Sequence, residues 1–340
     1  MRWLACELHT HTNHSDGRQT LRELAAGAAR LGFDCIALTD HNTMSGLQDR
    51  EAVEKETGLA ILPGMEWTTF YGHMVTVGAS SMADWRQVRP DNLLKGVADV
   101  HQSGGLVGLA HPFRIGSPVC TGCYWEFEVP DWREIDYIEV WSTTFAPVKA
   151  DNRRAFRLWT DLLNAGVRIA ATSGRDWHEQ KETEEPLSVT YLGAEAEAGA
   201  DGPAAAQAAL AALRAGRASV TIGPLLTLTV RSASGRAFGI GEAVPFGEAS
   251  LEAEARLDFS VRPGHWTLEP QTLRLVLSGP DGTLAECRVE MKDGAYRLEF
   301  PQAAARPIWV RAELWGVVRG ASVLIAFTNA IYFERGEEAV

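Results

Sequence analysis

The sequence predicts an α/β fold: a parallel sheet with enough strands to close into a TIM-like barrel, followed by an antiparallel β-sandwich. Three observations carry this expectation. Over the first 220 or so residues, short apolar runs alternate with amphipathic helical patterns, and seven or so such βα units are enough to close a barrel. After Gly223 and Pro224, strand-like runs follow one another with no convincing helix between them. At 340 residues the chain has room for about two domains. The expected division is 1–222 for the barrel and 224–335 for the sandwich.

The elements read in order. RWLACEL (2–8) is a strand, and LRELAAGAARLG (21–32) an amphipathic helix stopped by Gly32. CIALTD (35–40) is the second strand, a polar helix spans about 44–57, and LAILPGMEW (59–67) is the third strand. HMVTVG (73–78) continues the β pattern. The helix NLLKGVADVHQSGG (92–105) precedes the strand LVGLAH (106–111). IDYIEVW (135–141) and the helix NRRAFRLWTDLLNAG (152–166) follow. VRIAATSG (167–174) and LSVTYLG (187–193) are strands, and GPAAAQAALAALRAG (202–216) an Ala-rich helix. The low-complexity stretch 194–202 is expected to be a surface loop. In the tail, LLTLTVR, LEAEARLDFSV, TLRLVLSG, CRVEM, AYRLEF, PIWVRAELW and SVLIAFTNAIYF are strands, with turn signals at 279–282 and 292–294.

Hydrophobic residues make up 46% and charged residues 22%, which excludes a disordered chain. No apolar run approaches the length of a membrane-spanning helix. Polar residues begin at position 7, so no signal peptide is expected. Thirty-two basic residues face 44 acidic ones, a net charge of −12 that argues against binding to long nucleic acids. The five cysteines are an odd number in a large chain, so a disulfide framework is not expected and a cytoplasmic location fits. Cys6 and Cys35 lie in apolar runs and read as core residues. Cys120 and Cys123 form a lone CxxC, with no second pair for a zinc ribbon, and a structural or incidental role is expected.

Histidine is the informative residue type. Nine are present, most of them beside carboxylates at predicted strand ends. His9 and His11 stand at i and i+2, so period-two geometry turns both to one face. Asp16 follows in the next loop. Asp40 and His41 close the second strand; Glu66 closes the third, with His73 just beyond; His111 ends LVGLAH; Asp176 and His178 follow VRIAATSG. A single His-x-His is weak. The joint pattern is stronger, because strand ends in a βα barrel converge on the face that carries the active site. Mixed imidazole and carboxylate donors suit Zn, Mn or Fe. His101 is expected on a helix surface, His14 in a polar loop and His265 in a turn.

The runs LHTHTNHSDG, ALTDHN, GMEW, LAHP and SGRDWH resemble the successive motifs of the PHP (polymerase and histidinol phosphatase) superfamily. Their spacing most resembles the branch of CehA/McbA-like metallohydrolases, and GPLLTLTV and FTNAIYF in the tail are similar to it too. The resemblance implies a distorted (β/α)7 barrel holding two or three divalent metal ions. It implies one metal on His9, His11, Glu66 and Asp176, a second sharing Glu66 and adding His73 and His111, and a third on Asp16, His41 and His178. SGRDWH departs from the SGSD-x-H form and places Arg175 and Trp177 around the ligands.

Three divalent ions bring about +6 and Asp16, Glu66 and Asp176 about −3, so the pocket keeps an excess near +3 that attracts a phosphate dianion. With two ions the excess falls to about +1, and a neutral ester, amide or carbamate fits better. The expected reaction is hydrolysis of a small phosphate ester or nucleotide by a metal-activated water near Glu66 and Asp176. Asp40 either orients His41 or caps the helix starting near Asn42. Arg114 and Arg175 each either clamp phosphate or form a surface salt bridge. Trp67 and Trp141 read as core; Trp177 is available to stack on an aromatic group. The competing readings are an amide, carbamate or ester hydrolase on the same scaffold, and a metal-stabilised binding module without catalysis. The expected partner is a small, phosphorylated anion; no membrane is expected, and a homo-oligomer is compatible with the sequence.

Overall fold

In the computed structural model, described at residues 1–116, 122–195, 202–248, 250–300 and 306–335, the first half alternates strands and helices. Its elements are β1 (Arg2–Thr10), α1 (Leu21–Arg30), β2 (Cys35–Leu38), α2 (Arg50–Thr57), β3 (Ala60–Thr69), β4 (Gly72–Val77), α3 (Leu93–Gln102), β5 (Leu106–Leu109), β6 (Tyr137–Ser142), α4 (Ala150–Asn164), β7 (Ala170–Gly174), β8 (Val189–Ala194), α5 (Gly202–Arg214) and β9 (Ala218–Thr221). Local chemistry sets their limits. Thr20 and Glu23 form a reciprocal capping box at the start of α1, and Leu21, Leu24, Ala25 and Ala28 bury one helical stripe. The polar helix expected over 44–57 is split into a 3-10 turn at Ser45–Asp49 and α2.

The sheet is only partly parallel. β1–β2, β2–β3, β5–β6 and β6–β7 pair in parallel, whereas β4 runs antiparallel to both β3 and β5. The cause is the two-residue connection between β3 and β4, which permits only a hairpin. The expected closed barrel is corrected as well. The ladder ends at β7, and the second edge of β1 is taken by antiparallel β8 from Arg2–Ala194 to Cys6–Thr190. With that edge occupied, no β7 ladder forms on β1 among the described residues; the β7 side meets β1 by packing and by an isolated parallel bridge between Thr10 and Trp177.

The tail contributes β10 (Leu225–Arg231), β11 (Ala237–Gly239), β12 (Ala243–Val244), β13 (Glu252–Asp258), β14 (Leu273–Gly279), β15 (Gly282–Val289), β16 (Gly294–Glu299), β17 (Trp309–Val318), β18 (Ala321–Thr328) and β19 (Ile331–Phe333). They fall into two sheets. One is antiparallel, in the order β11-β10-β13-β16. The other is not a separate body: β18 pairs with β9, so these strands continue the main sheet. Leu226, Leu228 and Ala255 of one sheet share a core with Leu275, Leu277 and Leu314 of the other, and that core runs on into Trp141 and Trp159. Asn329 ties the halves together. Its side chain accepts from the backbone N–H of Ala171 (2.6 Å) and donates to the carbonyls of Ala171 (2.8 Å) and Ala218 (3.2 Å).

Cys6 and Cys35 are free, buried and paired in register across β1 and β2. Cys123 is disulfide-bonded, which corrects the expectation that the cysteines are reduced. Cys120 and residues 196–201 of the expected surface loop lie outside the described residues. Among the described residues, no helix is long and apolar enough to cross a membrane.

Candidate metal centre

The site is built where β1, β3, β4, β5 and the segment after β7 end together. Beyond β1, His11 stays aligned because its backbone N–H donates to the carbonyl of Trp177 (2.9 Å) and that of Trp177 to His9 (3.0 Å). The loop then folds back so tightly that a Cβ at Gly17 would lie 2.6 Å from the carbonyl of His11, so only glycine fits. His41 forms an isolated bridge with Glu66. Several residues at the site hold a left-handed backbone: Asn42 (φ 56°), His111 (φ 29°), Thr143 (φ 67°) and Asp176 (φ 56°). Such strain persists only where surrounding structure enforces it, and it clusters at functional sites.

Glu66 is the hub. Its Oε2 lies 2.9 Å from His41 Nδ1, 3.1 Å from His9 Nε2 and 3.4 Å from His11 Nε2. Its Oε1 lies 3.0 Å from His73 Nδ1 and 3.2 Å from His111 Nε2. Asp176 Oδ1 stands 3.0 Å from His11 Nε2, 3.4 Å from His9 Nε2 and 3.5 Å from His178 Nδ1. Asp16 Oδ1 is 3.1 Å from His178 Nε2 and 3.5 Å from His41 Nε2. The donors form groups in which the candidate ligand atoms lie within 4.8 Å of one another: His9, His11, Glu66 and Asp176; His11, Asp16, His41 and His178; and His73 with His111, beside Cys123, whose sulfur is held in a disulfide and is no ligand. All nine histidines and carboxylates singled out as ligands are thus brought to one place.

These residues fit a divalent cation. His9 Nε2, His11 Nε2, Glu66 Oε2 and Asp176 Oδ1 are buried without a hydrogen-bond partner, and they are the four residues of the first group. Orphaned polar atoms at this density are costly, and one cation coordinated by all four would satisfy them together. Their imidazole and carboxylate chemistry suits Zn, Mn or Fe.

The electrostatics are those of opposed charges in a dry pocket. Burial alone would raise the Glu66 carboxyl, but His9, His111, His41 and His73 hold it well below the usual carboxylate range. Burial likewise disfavours a charged His9, yet Glu66, Glu139 and Asp176 push it well above the ordinary imidazole value. For His11 and His111 burial wins, and both are lowered.

Other expected residues are placed differently. Arg114 is at the site, with Nη1 on Asp176 Oδ2 and Nη2 on Ser142 Oγ. Asp40 neither orients His41 nor caps a helix: its carboxylate accepts from Thr12 N–H (2.7 Å), Thr12 Oγ1 (2.6 Å) and Ser15 Oγ (2.7 Å), and so shapes the loop before Asp16. Arg175 turns away from the cluster. It lies 4.5 Å over the Trp177 ring and lines a separate cavity with Arg30 and Lys181. Trp67, Trp141 and Trp177 are all buried, so none is open to a substrate ring. His14 meets Ser45, His101 meets Asp136, and His265 sits near Gly32, all away from the cluster.

Sequence reasoning missed Glu139 and Thr68. Glu139 Oε2 lies 2.7 Å from His9 Nδ1, and Thr68 Oγ1 bonds His41 Nδ1. The available signals were a lone carboxylate inside the apolar strand IDYIEVW and a threonine two residues beyond Glu66 on the same face of β3.

Comparison with known proteins gives consistent results. Residues 7–111 match the family model of the PHP domain. An uncharacterized protein of Methanocaldococcus jannaschii is 26% identical over 128 residues, 34% of this chain and 71% of that protein. A 5'-3' exoribonuclease of Haemophilus influenzae is 36% identical over 63 residues, 18% of this chain and only 23% of that enzyme. A solved two-domain protein from Bacteroides vulgatus, containing a predicted PHP-like metal-dependent phosphoesterase, matches 97% of this chain and 95% of its own with a TM-score of 0.54 and 15% identity, a likeness of fold. Residues 7–111 therefore resemble the PHP domain, and the two-domain fold is shared with the Bacteroides vulgatus protein.

Proposed function

We propose that the chain is a metal-dependent phosphoesterase that hydrolyses a small phosphate ester. The observation that carries this reading is the coincidence of the four orphaned buried donor atoms with the first candidate ligand group, directly beside the Arg114 guanidinium. His9, His11, Glu66 and Asp176 would hold one divalent ion, His73 and His111 a second with Glu66, and Asp16, His41 and His178 a third. Bound divalent ions would supply Lewis acidity to the phosphoryl oxygens and lower the pKa of the attacking water. Glu139 accepts a hydrogen bond from His9 Nδ1 and would so keep Nε2 free to hold an ion. Arg114, neutralised on one side by Asp176, retains N–H groups for a phosphoryl oxygen. Asp16, His41 and His178 form the partly exposed side of the cluster, through which substrate would enter.

The test is elemental analysis of protein purified without chelator, coupled to a panel of phosphate esters. The expected result is more than one equivalent of a transition metal, with turnover that is lost on chelation and restored by Zn, Mn or Fe. Less than one equivalent and no turnover after reconstitution would overturn the reading.

A further inference from the structure

Side chains two apart on a strand share a face, so Thr68 lies on the face of β3 that carries Glu66, and Phe70 follows in the turn just past the strand. Thr68 touches His41 of the metal cluster. It also lines a cavity of about 590 Å³ with Phe70, Tyr71, Trp85, Arg86 and Arg89. The cavity therefore begins at the edge of the candidate centre. Phe70 is 77% exposed, and Tyr71 is held edge-on to Phe127 at 5.7 Å. Trp85 opens a short 3-10 turn fixed by Asp84, whose Oδ1 accepts from the backbone N–H of Arg86 (3.0 Å). The same Asp84 pairs with the Arg86 guanidinium at 2.8 and 3.0 Å and neutralises it. Arg89 is different. Its Nη1 donates to the carbonyls of Arg86 and Val88, and among the described residues it forms no ion pair. Three aromatic residues and one guanidinium without an ion pair thus line a single cavity that adjoins the metal cluster through Thr68.

From this arrangement we infer that the cavity is the subsite for the non-reacting part of the substrate, and that this part is a planar aromatic ring. The inference rests on the phosphoesterase reading of the cluster. With phosphate at the donors, the ring lies among Phe70, Tyr71 and Trp85, where ring-on-ring contact is favourable and tolerant of ring identity. Arg89 adds positive charge beside a ligand that carries a phosphate. Phe70 and Trp85 determine specificity in this arrangement and take no part in bond breaking.

Phosphonates, whose C–P bond resists hydrolysis, separate binding from turnover. The metal-loaded protein is titrated calorimetrically with phenylphosphonate, a nucleoside phosphonate and propylphosphonate. At least one aromatic ligand should bind roughly 10-fold more tightly than propylphosphonate, as expected for one stacked ring. The two aromatic arms show whether an aryl group or a nucleobase is the natural occupant. Phe70→Ala and Trp85→Ala should each erase most of that preference and leave propylphosphonate affinity unchanged, whereas Phe70→Trp should retain it. Equal affinities in the unmodified protein, a preference that survives both alanine variants, or no phosphonate binding at all would overturn the inference. Ring-selective binding without turnover of any phosphate ester would defeat only the phosphoesterase reading. Turnover without ring preference would defeat only the subsite.

Discussion

The Nδ1 atom of His9 lies 2.7 Å from Oε2 of Glu139, a contact between residues 130 positions apart in the chain. Nδ1 donates to the Glu139 carboxylate, so Nε2, which is directed at Glu66 and Asp176, is the nitrogen that would release its proton to a bound cation. A carboxylate behind an imidazole fixes the tautomer and ring angle and raises the basicity of the free nitrogen. Glu139→Gln preserves the volume but removes the charge. Metal affinity is expected to fall about 10- to 100-fold with the fold intact. Competition with a chromogenic chelator measures this, with circular dichroism as the control. Unchanged affinity would show that Glu139 serves packing alone.

Arg114 joins two groups of the site, Asp176 through Nη1 and Ser142 through Nη2. Its planar fork can donate to a phosphoryl oxygen while keeping both partners, whereas lysine offers one point charge. Hydrogen bonds to charged groups are worth about 1.5–3 kcal/mol, so Arg114→Lys should lower kcat/KM for phosphate esters roughly 10- to 100-fold. The loss should appear mainly in KM, with bound metal unchanged by elemental analysis. A variant that loses its metal would place Arg114 in service of Asp176 and not of the substrate.

The donors were legible because strand ends and period-two spacing are local properties: His9 with His11 shows the spacing directly, and Asp176 with His178 the position just past a strand end. Barrel closure was not local. LSVTYLG reads as a strand in either direction, and only its long-range pairing with β1 shows that β8 takes the edge a closing strand would need. Asp40 and Arg175 misled for one shared reason. Each is the immediate neighbour of a ligand, and adjacency in sequence does not by itself bring two side chains to one face. Asp40 turns into the loop at Thr12 and Ser15 while His41 faces Glu66, and Arg175 stacks on Trp177 while Asp176 faces His11. Glu139 was hidden because nothing within IDYIEVW tells which face of the strand meets β1's histidine.

His101, in α3, pairs its Nε2 with Asp136 Oδ2 at 2.9 Å. The hydrogen bond that His101 donates to Asp136 outweighs partial burial and raises the imidazole above its ordinary value. A raised folded value means that folding favours the charged form. The stabilisation is therefore complete below about pH 6.5, the unfolded value, and is lost as pH rises through the folded one. His101→Gln should lower the Tm at pH 6 and leave it nearly unchanged at pH 9. An equal shift at both pH values would assign His101 a packing role.

Asn329 tests whether the tail is energetically part of the first half. Its buried amide satisfies the N–H and carbonyl of Ala171 at the start of β7 and the carbonyl of Ala218 at the start of β9. Asn329→Ala would leave these backbone groups without that partner, and each unsatisfied buried group costs about 1–3 kcal/mol. A destabilisation of roughly 3 kcal/mol in urea unfolding is therefore expected. Because β9 and β18 pair directly and one apolar core spans both regions, the variant should still unfold in a single transition, lowered as a whole. Two resolved transitions, with metal release following only the first, would show that residues 1–222 and the tail fold independently despite the shared sheet.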